Sequence, residues 1–123
     1  MRALNCARKS ACAACVRAAS DPEFAALHGA RPALTRFAPV ERRSGFTLLE
    51  VSIATGVLHQ IRAHLAFIGH PLAGDALYGG PELPGLSRHF LHAARLAFAH
   101  PDGTHPRFES PLSSELAAVL AQL

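Results

Sequence analysis

The groups with obvious chemistry in this 123-residue sequence are eight histidines, three cysteines and three aspartates. Cys12 and Cys15 form a C-x-x-C, but Cys6 is the only other thiol, and a tetrahedral zinc site would need a fourth ligand such as His28. No disulfide framework reads out of three cysteines crowded before position 16. His59 and His64 are five residues apart, which sets them well over ~100° apart around a helix, unlike a helical metal pair. His89 and His92 are better spaced but have no third ligand beside them, so no metal site is expected. There is no Gly-x-Ser-x-Gly for nucleophilic catalysis and no glycine-rich phosphate loop. What remains is a polar cluster, His59, Gln60 and Arg62, in a strongly apolar setting.

The elements that must position this cluster follow from periodicity. Phe46 to Ala54 alternates, with Thr47, Leu49, Val51 and Ile53 on one face and Phe46, Leu48, Glu50 and Ser52 on the other, which predicts a strand. After Thr55-Gly56 the period changes to about 3.6. Leu58, Ile61, Leu65 and Ile68 then share one helical stripe, which Gly69-His70-Pro71 stops, so the cluster stands where strand hands over to helix. Upstream, Leu34 to Val40 is β-prone and interrupted by Pro39, which suits an edge strand, and Ser44-Gly45 punctuates the chain after it. His70 to Ser87 is rich in Gly and Pro and predicts a long ordered loop. Leu91 to His100 reads as a helical turn entering a strand, and Asp102-Gly103 then leads to a partner strand at Arg107 to Ser110, a hairpin. Leu112, Leu116, Val119, Leu120 and Leu123 mark a final amphipathic helix, with Ser113 as N-cap and Glu115 in its first turn.

Half of the residues are hydrophobic and 17% charged, which excludes disorder over the whole length. A chain of this length buries roughly two-thirds of its unfolded surface and needs no staples. No apolar stretch is long enough for a membrane span, so a soluble protein without a membrane partner is expected. Residues 1–45 hold eight of the twelve Lys and Arg against three acidic residues, a balance of +5, and residues 46–123 sum to −2. A basic balance suits either an anionic partner or a solvated end. The first twenty residues carry four basic and no acidic groups among many Ala, so organellar targeting stays open beside a cytoplasmic location. The expected organisation is a poorly ordered Ala/Cys-rich extension over residues 1–31 and a folded unit over 32–123.

Thr55-Gly56-Val57-Leu58-His59-Gln60-Ile61-Arg62-Ala63-His64-Leu65 and Gly69-His70-Pro71-Leu72-Ala73-Gly74-Asp75-Ala76-Leu77-Tyr78-Gly79-Gly80 together resemble the C-terminal signature of the RluA-type RNA pseudouridine synthases. Leu91-His92-Ala93-Ala94-Arg95-Leu96-Ala97-Phe98-Ala99-His100-Pro101 and Phe108-Glu109-Ser110-Pro111-Leu112 resemble the same family in the same order. The resemblance implies an α/β (α+β) fold, a mixed, largely antiparallel sheet with flanking helices. It also implies isomerisation of uridine in RNA without metal or organic cofactor. The glycosidic bond is broken, the uracil turns while bound, and it is rejoined through carbon. Such chemistry needs the nucleotide flipped into a closed pocket, an aspartate, and an arginine that holds the aspartate ionised. By position in the motif that arginine is Arg62. His59 and Gln60 are expected to orient the turn, Ile61 and Leu65 to pack or to wall the base, and Asp75 and Tyr78 to fix the loop.

The departures from the family are as informative. Val57-Leu58 stands where the family has Arg-Thr, and nothing resembles the upstream Arg-Leu-Asp motif or the active-site tyrosine. Asp21 lies in an unrelated context, and Asp75 and Asp102 are downstream. The expectation is therefore an incomplete, truncated domain, inactive alone, with RNA (rRNA or tRNA) and a separate N-terminal half as partners. The alternative is a non-catalytic RNA-binding or assembly module. With half a sheet absent, the faces of Leu49, Val51 and Ile53 are expected to be bare and prone to aggregation.

Overall fold

The computed structural model describes residues 1–6 and 32–123. Strands β1 (Arg2–Cys6), β2 (Thr35–Arg43), β3 (Phe46–Ile53) and β4 (Leu91–His92) form one sheet in the order β2-β3-β1-β4. Every pairing in it is antiparallel, and with two helices beside it the described residues form the α+β arrangement expected from the resemblance. Helix α1 (Gln60–Phe67) and a 3-10 turn (Ala76–Tyr78) lie between β3 and β4. A two-stranded hairpin, β5 (Arg95–Ala97) with β6 (Arg107–Glu109), and helix α2 (Ser114–Ala121) complete the chain. No described helix is long and apolar enough to cross a membrane.

β3 is the strand its alternation predicts, and it serves two cores. Leu49 and Val51 join Ala3, Ile61, Leu65 and Leu72 in one cluster. Leu48 points the other way, into a cluster with Ala73, Phe90, Leu116 and Val119. The expectation that Leu49 and Val51 lack neighbours is thus overturned, because α1 folds back over that face and leaves them 2% and 1% exposed. Only Ile53, at the strand end, is 36% exposed. β2 is the edge strand expected. Ser44-Gly45 forms its turn into β3 with both residues at positive φ, the twist a two-residue hairpin needs. Its ladder with β3 shifts register between Pro39 and Glu41, where the proline has no N–H to give.

The N-terminal residues are a correction to the sequence reading. Met1 to Cys6 were expected to belong to an extension outside the fold, yet they form an inner strand between β3 and β4. Ala3 pairs with Leu49 and is fully buried. The Met1 ammonium donates to Val51 O at 2.6 Å, and Val51 N–H returns a bond to Met1 O at 2.8 Å. A strand of five residues has too few positions to show a period, and its place is fixed by the open hydrogen-bonding edge of β3. Cys12, Cys15, Asp21 and His28 lie outside the described residues.

Downstream, the helical stripe holds only in its centre. Ile61 and Leu65 are buried, whereas Leu58 is 84% and Ile68 46% exposed, because the helix starts after Leu58 and ends before Ile68. No helical turn enters the hairpin. Phe90 is fully buried and its N–H bonds to Ala73 O at 2.8 Å, and the chain bends there, with the Leu91 N–H bonded to His89 O at 2.9 Å, before it enters β4 and then β5. The hairpin itself is as expected. α2 buries Leu116 and Val119 in the second core, and Glu115 in its first turn accepts bonds from the N–H and hydroxyl of Ser87.

Candidate functional site

Gln60 organises the junction that presents the polar cluster. It is 4% exposed, and its Oε1 accepts from the Thr55 hydroxyl at 3.0 Å and the Val57 N–H at 3.3 Å. Its Nε2 donates to Leu34 O at 3.0 Å and to the Thr35 hydroxyl at 3.1 Å. Both donors and both acceptor positions of the amide are thereby used, which fastens the start of β2, the turn and α1 to one side chain. The turn places His59 in the left-handed region at φ 56, ψ 19, a conformation that costs about 1–2 kcal/mol for a residue with a Cβ. His59 Nδ1 lies 3.2 Å from the Tyr78 hydroxyl, with the two rings edge to face at 5.8 Å.

Arg62 follows in the first turn of α1. Its Nε donates to Asp75 Oδ2 and its Nη2 to Asp75 Oδ1, both at 2.8 Å, a two-pronged pair that fixes the guanidinium plane. The Asp75 side chain is fully buried and that of Arg62 is 14% exposed. The bonds from Asp75 push the guanidinium above even its ordinary high range, against the opposing effect of burial. Tyr78 closes the arrangement, its ring centre 5.1 Å from the guanidinium carbon. Asp75 also accepts the Tyr78 N–H at 3.3 Å, so one carboxylate both starts the 3-10 turn and holds the arginine. The sequence assigns Asp75 and Tyr78 to fixing the loop; the structure adds that the same two residues fix Arg62. Nη1 takes no part in the fork.

His59, Gln60, Ile61 and Arg62 line a cavity of about 350 Å³ together with Met1, Ile53, Val57, His89 and Leu91. It is apolar on several sides, with arginine and imidazole as the charged or polar heads, a composition that suits a small planar polar molecule. Leu65 belongs to the core and faces another cavity, with Phe37 and His64. A larger cavity of about 550 Å³, lined by Leu48, His92, Arg95 and Glu109 among others, contains none of the predicted site residues. His89 is the residue sequence reasoning missed. Spacing pairs it with His92, but the two face different cavities, and His92 Nε2 lies 3.0 Å from Ser110 O. Among the described residues no group of three potential metal ligands comes together.

The chain matches no protein-family model. It is 43% identical over 102 residues to an uncharacterized RNA pseudouridine synthase of Chloroflexus aurantiacus, an alignment over 81% of this chain and 32% of that protein. It is 42% identical over 106 residues to the ribosomal large subunit pseudouridine synthase D of Nitrosomonas europaea, covering 79% of this chain and 31% of the relative. To the ribosomal large subunit pseudouridine synthase C of Escherichia coli it is 42% identical over 102 residues, 76% of this chain and 32% of the other. The chain spans about a third of the length of the curated relatives it matches.

Proposed function

We propose that the chain, 42–43% identical to these relatives, belongs with the RluA-type RNA pseudouridine synthases and supplies the arginine side of a uridine-isomerising site. The observation that carries this reading is Arg62 at the wall of the cavity, its plane set by Asp75 and Tyr78 and its Nη1 outside the fork. A flipped uracil enters between the apolar walls, and Arg62 stabilises charge on the base or on an incoming carboxylate. His59 and Gln60 act through the turn, and Ile61 forms part of the wall. The family's Arg-Leu-Asp motif is not in this sequence, so the chain alone does not break the glycosidic bond; a second polypeptide segment brings the aspartate. The words "ribosomal large subunit" in the names of two relatives favour rRNA over tRNA as the partner, and the cytoplasm as the place of work.

The occupied fork gives weight to the second reading, a module that binds RNA without catalysis, because Asp75 already neutralises Arg62. One experiment separates them. The purified chain is incubated with large-subunit rRNA fragments, alone and with a polypeptide carrying the Arg-Leu-Asp motif, and pseudouridine is mapped. Product is expected only from the mixture, and only with Arg62 intact. Site-specific product from the chain alone, abolished by Arg62→Ala, would show that the nucleophile is not missing. RNA binding without product in either arm would favour the module.

A further inference from the structure

His89 has a fixed backbone, a place in the cavity and no use in the arrangement described above. Its neighbour Phe90 is fully buried and bonded through its N–H to Ala73 O. The loop beneath is packed at backbone level: a Cβ on Gly74 would come within 2.4 Å of Arg88 O. Among the described residues neither ring nitrogen of His89 has a hydrogen-bond partner, although the ring lines the same cavity as Arg62 and His59. An imidazole held on rigid backbone, unpaired and facing a pocket, is a recognition group awaiting a ligand.

We infer that His89 reads the imide edge of the base in this cavity, its ring lone pair accepting the N3–H of uracil. This rests on the reading that the cavity takes uridine. Uracil presents N3–H as a donor at that edge, whereas cytosine presents a bare N3 acceptor. The groups that act on His89 are Arg62 from α1, His59 from the turn before it, Asp75 from the loop and Arg88 from its own segment. Burial, then Arg62, pushes its pKa down, Arg88 and His59 add to that, and Asp75 opposes it. The ring therefore stays neutral near pH 7, with a lone pair to offer. Once protonated it can only donate and no longer matches N3–H.

The test compares short oligouridine with oligocytidine of equal length, so that phosphate attraction cancels. Fluorescence anisotropy is read for the full chain and for His89→Gln, His89→Leu and Arg62→Ala, near pH 7.5 and over a descending pH series. One hydrogen bond to the base predicts a uridine preference of about 5-fold near neutral pH, shrinking as pH falls through the lowered pKa of the ring. His89→Gln carries an amide that does not titrate, so whatever preference it shows should be the same at every pH, and His89→Leu should lose the preference throughout. A preference that survives in His89→Leu, or a pH response unchanged in His89→Gln, overturns the role of His89 while Arg62-dependent binding of oligouridine leaves the pocket reading standing. Binding of neither oligomer in an Arg62-dependent way overturns both.

Discussion

Replacing Asp75 by alanine removes the partner of a guanidinium that is only 14% exposed and, among the described residues, has no second carboxylate acting on it. Two charge-assisted bonds at 2.8 Å are lost, and a largely buried positive charge remains. Breaking such a pair from one side costs about 3–5 kcal/mol, mostly the penalty of the orphaned charge and not the net worth of the pair. Against a typical domain stability of about 5–15 kcal/mol, that is enough to leave the variant marginal. Asp75 also takes the Tyr78 N–H, so the 3-10 turn should loosen together with Arg62. Urea unfolding followed by circular dichroism measures the loss in Asp75→Ala, Arg62→Met and the double variant. The expected double-variant loss is smaller than the sum of the singles by about 2 kcal/mol or more, since the second substitution removes the charge the first had stranded. Single losses under about 1 kcal/mol, or strict additivity, would refute the reasoning and mean that solvent, not Asp75, holds the guanidinium.

Gly80→Ala and Gly56→Ala form a matched pair. A Cβ at Gly80 would meet Leu72 O at 1.8 Å and Asp75 N at 2.9 Å, whereas at Gly56 it meets nothing within 4 Å. Urea unfolding should show a loss of at least ~2 kcal/mol for the first and within ~0.5 kcal/mol of zero for the second. Gln60→Leu should cost about 1–3 kcal/mol in the same assay, because it fits the space but removes the partners of the part-buried Leu34 O and Val57 N–H. Stability should also fall in acid for a reason His89 supplies. Its folded pKa lies below the ordinary value, so the unfolded chain takes up the proton first, and stability present above about pH 6.5 declines as pH drops through that value toward the folded pKa. His89→Gln should flatten this part of a Tm-against-pH curve, and an unchanged curve would count against the placement of the ring. Glu115 acts lower on the scale. Its carboxyl is held below the usual range by bonds from Ser87, so the tether between loop and α2 is present above that range and lost as pH falls through the depressed value. Glu115→Gln should remove that acid-dependent step.

What the sequence could and could not reveal follows from how many residues each feature needs. β3 and the centre of α1 were legible because eight residues carry either period, long enough for the pattern to rise above chance. β1 was not, since one fully buried alanine in a five-residue strand leaves no pattern and the partner strand lies some fifty positions away. The site divides in the same way. His59, Gln60 and Arg62 are adjacent in the chain and surface as a motif, and the motif also carries Asp75 and Tyr78 as loop residues. That Asp75 is the partner of Arg62 appears only when the loop closes, because an ion pair thirteen residues apart across a turn has no periodic signature. His89 was hidden for a further reason: spacing suggested a pair with His92, while the chain bends at Phe90, with the Leu91 N–H bonded to His89 O, and the two histidines line different cavities. The consequence is functional. On the proposed reading, a second aspartate brought to the site shares the guanidinium through the N–H groups outside the fork and does not displace a fully buried carboxylate. An Arg62→Lys variant, which keeps the charge but cannot be forked and shared at once, should therefore fail in the two-polypeptide reaction even where it still folds.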